Sequence, residues 1–344
     1  MPKYKNILII RLSAMGDVAM SVPVIASFAK QYPDVHITML SNPRFAGMFA
    51  GIENLNFTGV YTKKEYKGLN GIFKLFRRLT SNDKFDAVID LHDVLRSKVL
   101  RILFKFKNIP VFIVEKDRKG RKELTRSKNK KLVPLKSSIK RYQEVFEKAG
   151  FDFPMNFSGL FDKKVDLPEN IRHTLNTKEG KWLAIAPFSK HQGKVYPVEK
   201  MEKVIDHFSQ KEGIKILLFG KGEKEAEILE KWQKNYPHAI SLAGKFQLLE
   251  ELQILNQADA LISMDSANMH LASLVETPVI SIWGATHPFA GFYGFNQSPD
   301  NIIQADLSCR PCSIYGHKPC ERKDYACLNM ILPERIIRKT EFLF

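Results

Sequence analysis

Residues Ile7, Leu8, Ile9 and Ile10 form an unbroken apolar run behind a polar start. A strand buried on both faces has no need of polar alternation, so this run reads as a parallel strand. Residues 11–16 are small and flexible and read as a tight loop. From Asp17 onward Val18, Val22, Ile25 and Phe28 recur at helical spacing, which predicts a helix over 17–31. Gly16 and Asp17 thus fall where strand gives way to helix, the edge at which open α/β sheets bind ligands. An aspartate there also reads as a helix N-cap. Residues 36–40 predict a second strand, and Ser41-Asn-Pro-Arg-Phe45 a loop at its functional end.

The same rhythm continues. Lys63, Lys64 and Lys67 lie in a polar, glycine-containing segment, and 85–91 reads as a strand ending in Asp90. Residues 94–107 form a basic amphipathic helix. Leu95, Val99, Ile102, Leu103 and Phe106 make its stripe, with Lys98, Arg101 and Lys105 elsewhere. Such a helix could lie on a membrane. The preferred reading is a crossover helix with its stripe on the sheet. Residues 110–114 predict a strand, and 116–131 a dense basic loop. Gly, Pro, Asp and Asn over 150–180 place a domain linker. Beyond it, strands are expected at 181–186, 215–219, 240–242, 260–264 and, last, 278–283. Helices are expected at 198–210, 224–235, 249–257 and 267–275, with a terminal helix over 333–344. Strand–helix alternation on this scale predicts two doubly wound α/β domains, with a cleft between the carboxyl ends of their sheets.

The chain's 344 residues suffice for two cores. Hydrophobic content of 44% and charge of 26% suit a soluble globular protein, and no apolar run could span a bilayer. The N-terminus leads straight into a strand with no signal-peptide pattern, and four cysteines without an export signal point to a reducing cytoplasm. The net charge of +16 is unevenly placed: residues 60–150 hold 25 Lys and Arg against 10 Asp and Glu. Nucleic acid, an anionic membrane surface and a phosphorylated substrate are the partners such an excess suits. No basic–aromatic RNA motif appears, so nucleic acid is not expected.

The densest motif of the second half is Asp265-Ser-Ala-Asn-Met-His-Leu-Ala-Ser273. A strand ends at Asp265 and a helix starts at once, offering free N–H donors to a diphosphate, with the Ser266 hydroxyl beside them. His270 lies one turn in and reads either as a ligand contact or as a core histidine. Lys194-Val-Tyr-Pro197 follows another strand and loop, where a lysine could neutralise phosphate or stay solvated. Phe219-Gly-Lys-Gly-Glu223 lacks the third glycine of a dinucleotide fingerprint, and no P-loop exists. Tyr196 and Lys200 fit a Tyr-x-x-x-Lys pattern by chance, since Pro197 interrupts it. Cys309, Cys312, Cys320 and Cys327 permit a four-thiolate zinc site, but reduced packing cysteines or an incidental disulfide are preferred, and no metal is expected.

Together these pieces resemble glycosyltransferase family 9, the ADP-heptose:lipopolysaccharide heptosyltransferases. Arg11-Leu-Ser-Ala-Met-Gly-Asp17 with Pro23 is similar to the family's opening element. Asp90-Leu-His-Asp-Val-Leu-Arg-Ser97, Lys194-Val-Tyr-Pro197, Asp265 to Ser273, Pro278 to Thr286 and the cysteine-bearing tail follow in the family's order. Ala267 stands where the family usually has Gly, and Tyr196 where it has Trp.

The resemblance implies a GT-B fold, with an acceptor domain over 1–165, a nucleotide-sugar domain over 175–330 and a terminal helix over 331–344. It implies inverting, metal-independent transfer of heptose from ADP-heptose to the lipopolysaccharide inner core, with no cofactor beyond the ADP-sugar substrate. Asp17 would be the general base. Lys194 and the helix end at Ser266 and Ala267 would stabilise departing ADP, and Ser189 and Lys190 would contact the diphosphate. Glu223 would hold the ribose, Phe246 would pack on adenine, Asp265 would touch the sugar, and His270 the ligand or its own helix. Lys63, Lys64, Lys67, Arg96 and the 116–131 loop would meet the phosphates and carboxylates of the lipid A and inner-core acceptor. The enzyme would then work in the cytoplasm at the anionic inner membrane. The same machinery with another nucleotide sugar is the nearest alternative. A basic nucleic-acid-binding protein or a non-catalytic glycolipid binder are the more distant ones.

Overall fold

A computed structural model of the chain describes residues 3–176 and 178–344, Asn82 by its backbone alone. Two compact units emerge, one comprising the chain to Lys116 plus Lys136–Leu160, the other Asp117–Leu135 plus Phe161–Phe344. Both are parallel sheets wrapped by helices, as the alternation predicted.

The first sheet holds β1 (Asn6–Ile10), β2 (His36–Ser41), β3 (Leu55–Gly59), β4 (Ala87–Asp90) and β5 (Val111–Ile113), in the order β3-β2-β1-β4-β5. Central β1 is the apolar run of the sequence, and Ile7 to Ile10 are wholly buried. The Asp86 carboxylate accepts the N–H groups of Lys5 and Asn6 at 2.8 and 2.9 Å and pins the strand's start. Register then sets Ile10 opposite both Leu40 and Asp90. Strand order reverses between β1 and β4, so the loops after them are neighbours at a topological switch point.

Its helices are α1 (Met15–Ala19), α2 (Val22–Gln31), α3 (Gly68–Asn82) and α4 (Leu95–Phe106). The helix expected over 17–31 is thus two, because Pro23 has no N–H to continue the first turn. Ala14, not Asp17, occupies the N-cap; Asp17 lies one turn in and accepts the Ala14 N–H at 3.4 Å. β3 and α3 fall where no strand or helix was expected, and a 3₁₀ turn over Pro43–Phe49 starts within the expected loop. α4 is where it was expected, but its face is not. Ser97, Leu100 and Phe104 are buried, whereas Leu95, Ile102 and Phe106 of the expected inward stripe are 78%, 50% and 82% exposed. Arg101 sets this phase by pairing with Asp90 at 3.0 Å and Asp93 at 3.1 Å.

The basic stretch over 116–131 carries α5 (Arg118–Thr125), opened by Asp117, whose side chain accepts the Gly120 N–H. Leu124 is wholly buried. Lys130 donates to the carbonyls of Ser308, Cys309 and Pro311, and the Leu135 N–H to that of Phe289. These bonds tie residues 117–135 to the second unit, so the boundary expected at 165 does not describe the packing. Eight Lys and Arg against two carboxylates leave the first unit's basic excess with this excursion. The chain returns through α6 (Ser138–Lys148), which packs against α2 and β5.

After α7 (Glu169–Leu175), inside the expected linker, comes the second sheet: β6 (Lys181–Ala186), β7 (Ile214–Leu218), β8 (Ala239–Ser241), β9 (Ala260–Met264), β10 (Val279–Trp283) and β11 (Ile302–Gln304). Its order is β11-β10-β9-β6-β7-β8, all parallel, and β11 adds an edge beyond the strand expected last. Its helices are α8 (Val198–Ser209), α9 (Glu223–Asn235), α10 (Leu248–Gln257), α11 (Ala267–Leu274), α12 (Ala326–Asn329) and the terminal α13 (Pro333–Glu341), which packs on α8. Here the switch point lies between β6 and β9. Among the described residues, no helix is long and apolar enough to cross a membrane.

Candidate active site

At the first switch point Arg11 leaves the end of β1 and is buried. It donates to the Leu91 carbonyl at 2.6 Å, pairs with Asp17 at 2.7 Å and lies over the Tyr142 ring. Burial opposes its charge, but Tyr142 and Asp17 outweigh that and hold the guanidinium more firmly protonated than usual. The Asp17 side chain keeps 29% of its surface exposed, so a carboxylate faces solvent at the sheet's carboxyl edge. His92 sits beside the pair, with Nδ1 accepting the Leu12 N–H at 3.4 Å. Burial, then the charges of Arg11 and Lys116, push its pKa down to about 3, so it is neutral at ordinary pH. Asp90 holds this loop, accepting the N–H groups of His92 and Asp93 at 2.9 and 3.0 Å.

Arg96 is exposed and acts on His92 through its charge, which places it in the field around Asp17. Lys116 does the same and donates to the Asp93 carbonyl, a cation that motif reasoning did not separate from its basic loop. Lys63, Lys64 and Lys67 are exposed on the turn before α3 and in the same unit, with Lys64 over the Tyr61 ring. No bond brings those three to Asp17.

At the second switch point the Asp265 carboxylate, 5% exposed, accepts from Lys194 at 3.0 Å and from the Thr286 hydroxyl at 2.7 Å. The Ser189 hydroxyl meets the Asp265 carbonyl at 3.5 Å. Ser266 is the N-cap of α11, yet its hydroxyl lies 3.2 Å from that of Ser263 and makes no cap bond. The first N–H groups of α11 therefore receive no bond from their cap residue. Ala267 follows, half-buried, and His270 is buried one turn on. The Gly193 carbonyl accepts the Ala285 N–H at 2.7 Å, and a Cβ on Gly284 would come 2.5 Å from that carbonyl oxygen. The loops bearing Lys194 and Thr286 are thus locked backbone to backbone.

Arg310 is buried and donates to the carbonyls of Trp283, Gly284, Ala305 and Thr286 and to the Gln304 side-chain oxygen. It braces the Thr286 loop from below, a role that Cys309-Arg-Pro-Cys312 did not reveal because the signal was taken from its cysteines. The four thiols are free: Cys309 is exposed and Cys327 buried, its pKa pushed up to about 11 by burial. No three His, Cys, Asp or Glu side chains converge as a metal set among the described residues.

Lys190 and Glu223 are exposed, Glu223 opening α9 after the β7 loop, and Phe246 is half-buried before α10. Glu251 of α10 is a further residue of interest. Burial pushes its pKa up to about 7, and nearby Lys221 only partly opposes this. Its neighbours in sequence gave no hint of that burial.

Two doubly wound parallel sheets, each with a charged pair where strand order reverses, are the architecture of a GT-B transferase. The family model of glycosyltransferase family 9 (heptosyltransferase) matches residues 72–324, and the chain belongs to that family of glycosyltransferase enzymes. Lipopolysaccharide heptosyltransferase 3 of Escherichia coli K12 is 26% identical over 348 residues, 95% of each chain. The crystal structure of a family 9 glycosyl transferase from Veillonella parvula superposes with a TM-score of 0.76 at 20% identity, covering 98% of this chain and 97% of that one. E. coli heptosyltransferase WaaC, solved with ADP-2-deoxy-2-fluoro heptose, gives 0.66 at 19% identity over 90% and 97%.

Proposed function

We propose that the chain is an inverting heptosyltransferase of lipopolysaccharide core assembly, using ADP-heptose. The observation that carries this reading is the half-open Asp17 carboxylate at the first switch point, its rotamer fixed by buried Arg11. In the proposed step the acceptor hydroxyl oxygen attacks the anomeric carbon while Asp17 takes its proton. The bond from that carbon to the diphosphate oxygen breaks, and its electron pair leaves with ADP, inverting the centre. Lys194 and the N–H groups opening α11 carry the charge that develops on the leaving group. Ser189 and Lys190 bind the diphosphate, Glu223 the ribose, Phe246 the adenine, Asp265 the sugar and His270 the ligand or its helix. The step as written needs no metal, because the lysine and the helix end supply the positive charge.

Arg96, Lys63, Lys64 and Lys67 receive the anionic groups of the lipid A and inner-core acceptor, which places the enzyme at the cytoplasmic face of the inner membrane. The names of the relatives support donor and acceptor alike. ADP release from ADP-heptose with a heptose-deficient lipopolysaccharide tests the reading. Robust release by the natural chain and a loss of about 10²–10⁴-fold in Asp17→Asn are expected. Unchanged release in the variant would reduce Asp17 to a helix-start residue. ADP binding without release would point to another sugar or acceptor.

A further inference from the structure

α3 and α4 cover one face of the first sheet with their buried sides. Ile72, Leu75 and Leu79 of α3 join Leu100 and Phe104 of α4 in a single apolar cluster, and Phe76 meets Phe104 edge-on at 5.0 Å. The inward work of both helices is therefore done, yet each is apolar again on its outside. On α4, Leu95, Ile102 and Phe106 fall within about 40° of one another on the helical wheel, opposite Ser97, Leu100 and Phe104. On α3, Leu69 and Phe73 are one turn apart and 62% and 47% exposed. Five of the twelve most exposed large apolar side chains of the described residues thus sit on two adjoining helices.

The polar residues of these helices have one sign. α3 contributes Lys74, Arg77 and Arg78, and α4 contributes Arg96, Lys98, Arg101 and Lys105; neither helix holds an Asp or Glu. Lys98 and Lys105 border the outer α4 stripe, and Lys107 adds a cation at the seam, its Nζ 6.0 Å from the Phe76 ring. Asp93, just before α4, lies 4.0 Å from Lys98 and pairs with Arg101, but neither helix carries a carboxylate of its own, and an exposed apolar stripe flanked by cations matches the chemistry of an anionic bilayer. Acyl chains take the apolar residues, and headgroup phosphates take the lysines. Three of the five exposed side chains, Leu69, Leu95 and Ile102, are aliphatic and give a base no face to stack on, so acyl chains suit the surface better than nucleic acid.

We propose that the outer face of α3 and α4 is the surface by which this enzyme docks on anionic lipid. The inference rests on the proposed lipid-linked acceptor only for its purpose; the surface itself stands on exposure and charge. Docking would deliver the active site to a substrate confined to the bilayer, leaving the chemistry itself unchanged.

The test is flotation of the full chain with phosphatidylcholine vesicles, with and without about one-third phosphatidylglycerol. Flotation with the anionic vesicles alone is expected, with loss in about 1 M salt, where the screening length shrinks to about 3 Å. Leu95→Asn, Ile102→Asn and Phe106→Asn combined should weaken partitioning about tenfold or more. Lys98→Gln and Lys105→Gln should each weaken it about fivefold. Leu332→Asn, on the equally exposed Leu332 of the other unit, should change nothing. ADP release with a deacylated, soluble core acceptor should survive all of these.

Equal flotation with neutral vesicles, no flotation, or an unaffected triple variant would overturn the proposal. So would binding to single-stranded RNA that the same substitutions abolish while vesicles are ignored. If instead the natural chain binds anionic vesicles but never releases ADP, the transferase reading fails and the docking surface stands.

Discussion

The two switch points carry the same chemical pair in opposite senses. In the first unit the cation is buried and the carboxylate open: Arg11 is 7% exposed and Asp17 29%. In the second the carboxylate is buried and the cation more open: Asp265 is 5% exposed and Lys194 15%. Each buried member fixes the position of its more open partner. What remains for a ligand is a negative group at one edge and a positive group at the other. That difference is what the proposed reaction asks for: an acceptor for a hydroxyl proton at one edge and a cation for a departing diphosphate at the other.

The contrast breaks most severely at its open members. Lys194→Met should lower the ADP-release rate by about 10²–10³-fold and weaken ADP binding in calorimetry. It should also cost about 3 kcal/mol in chemical denaturation, because Asp265 is left buried with only Thr286. Asp17→Asn should cost far less stability, since Arg11 keeps the Leu91 carbonyl. Equal destabilisation by the two would erase the distinction between the pairs.

Acid sharpens the comparison next. His92 in the first unit and His287 in the second are held down to about 3 and about 4, from 6.5, burial being the main cause in both. Below pH 6.5 the unfolded chain binds protons that these native histidines refuse. Stability therefore falls with pH across that window, by up to about 3–5 kcal/mol for His92. His92→Asn and His287→Asn keep an acceptor for the Leu12 and Phe289 N–H groups and should flatten the decline in melts between pH 6.5 and 4. An unaltered slope would show that other groups carry it.

Glu251 has the opposite sign. Its raised pKa means that stability present below pH 4.5 is lost as pH rises through about 7. Glu251→Gln should gain about 1–2 kcal/mol at pH 8 and almost nothing at pH 5. The smallest effect is expected at Thr286→Val, about 1 kcal/mol from the lost hydroxyl bond to Asp265, with a modest rise in the KM for donor.

The fold was legible where one physical signal ruled. β1, β6 and β9 lie where their largely apolar runs placed them, because a short apolar run buried on both faces of a parallel sheet competes with no other element. α3 was hidden because Gly68 and Gly71 interrupt it and its outer face is both basic and apolar. β11 is only three residues long, below what periodicity can register. The α4 stripe was read on the wrong side because the helix is apolar on two faces. What fixed its phase was the ion pair of Arg101 with Asp90, which depends on β4 ending beside it. Asp17, Lys194 and Asp265 were singled out from the loops and helix starts that follow strands, and each proves to be one member of an ion pair at a switch point. Arg310, Lys116 and Glu251 were not singled out, since burial and long-range carbonyl partners leave no local signature.

The excursion over Asp117–Leu135 bears on how such proteins can be recombined. The polypeptide passes between the units three times, after Lys116, Leu135 and Leu160. A single splice between the halves of two relatives would therefore graft one parent's α5 onto the other parent's cysteine-bearing tail. Leu124 and Lys130 would then meet a foreign surface. Chimeras that exchange the first unit should tolerate three joints, at those positions, far better than one.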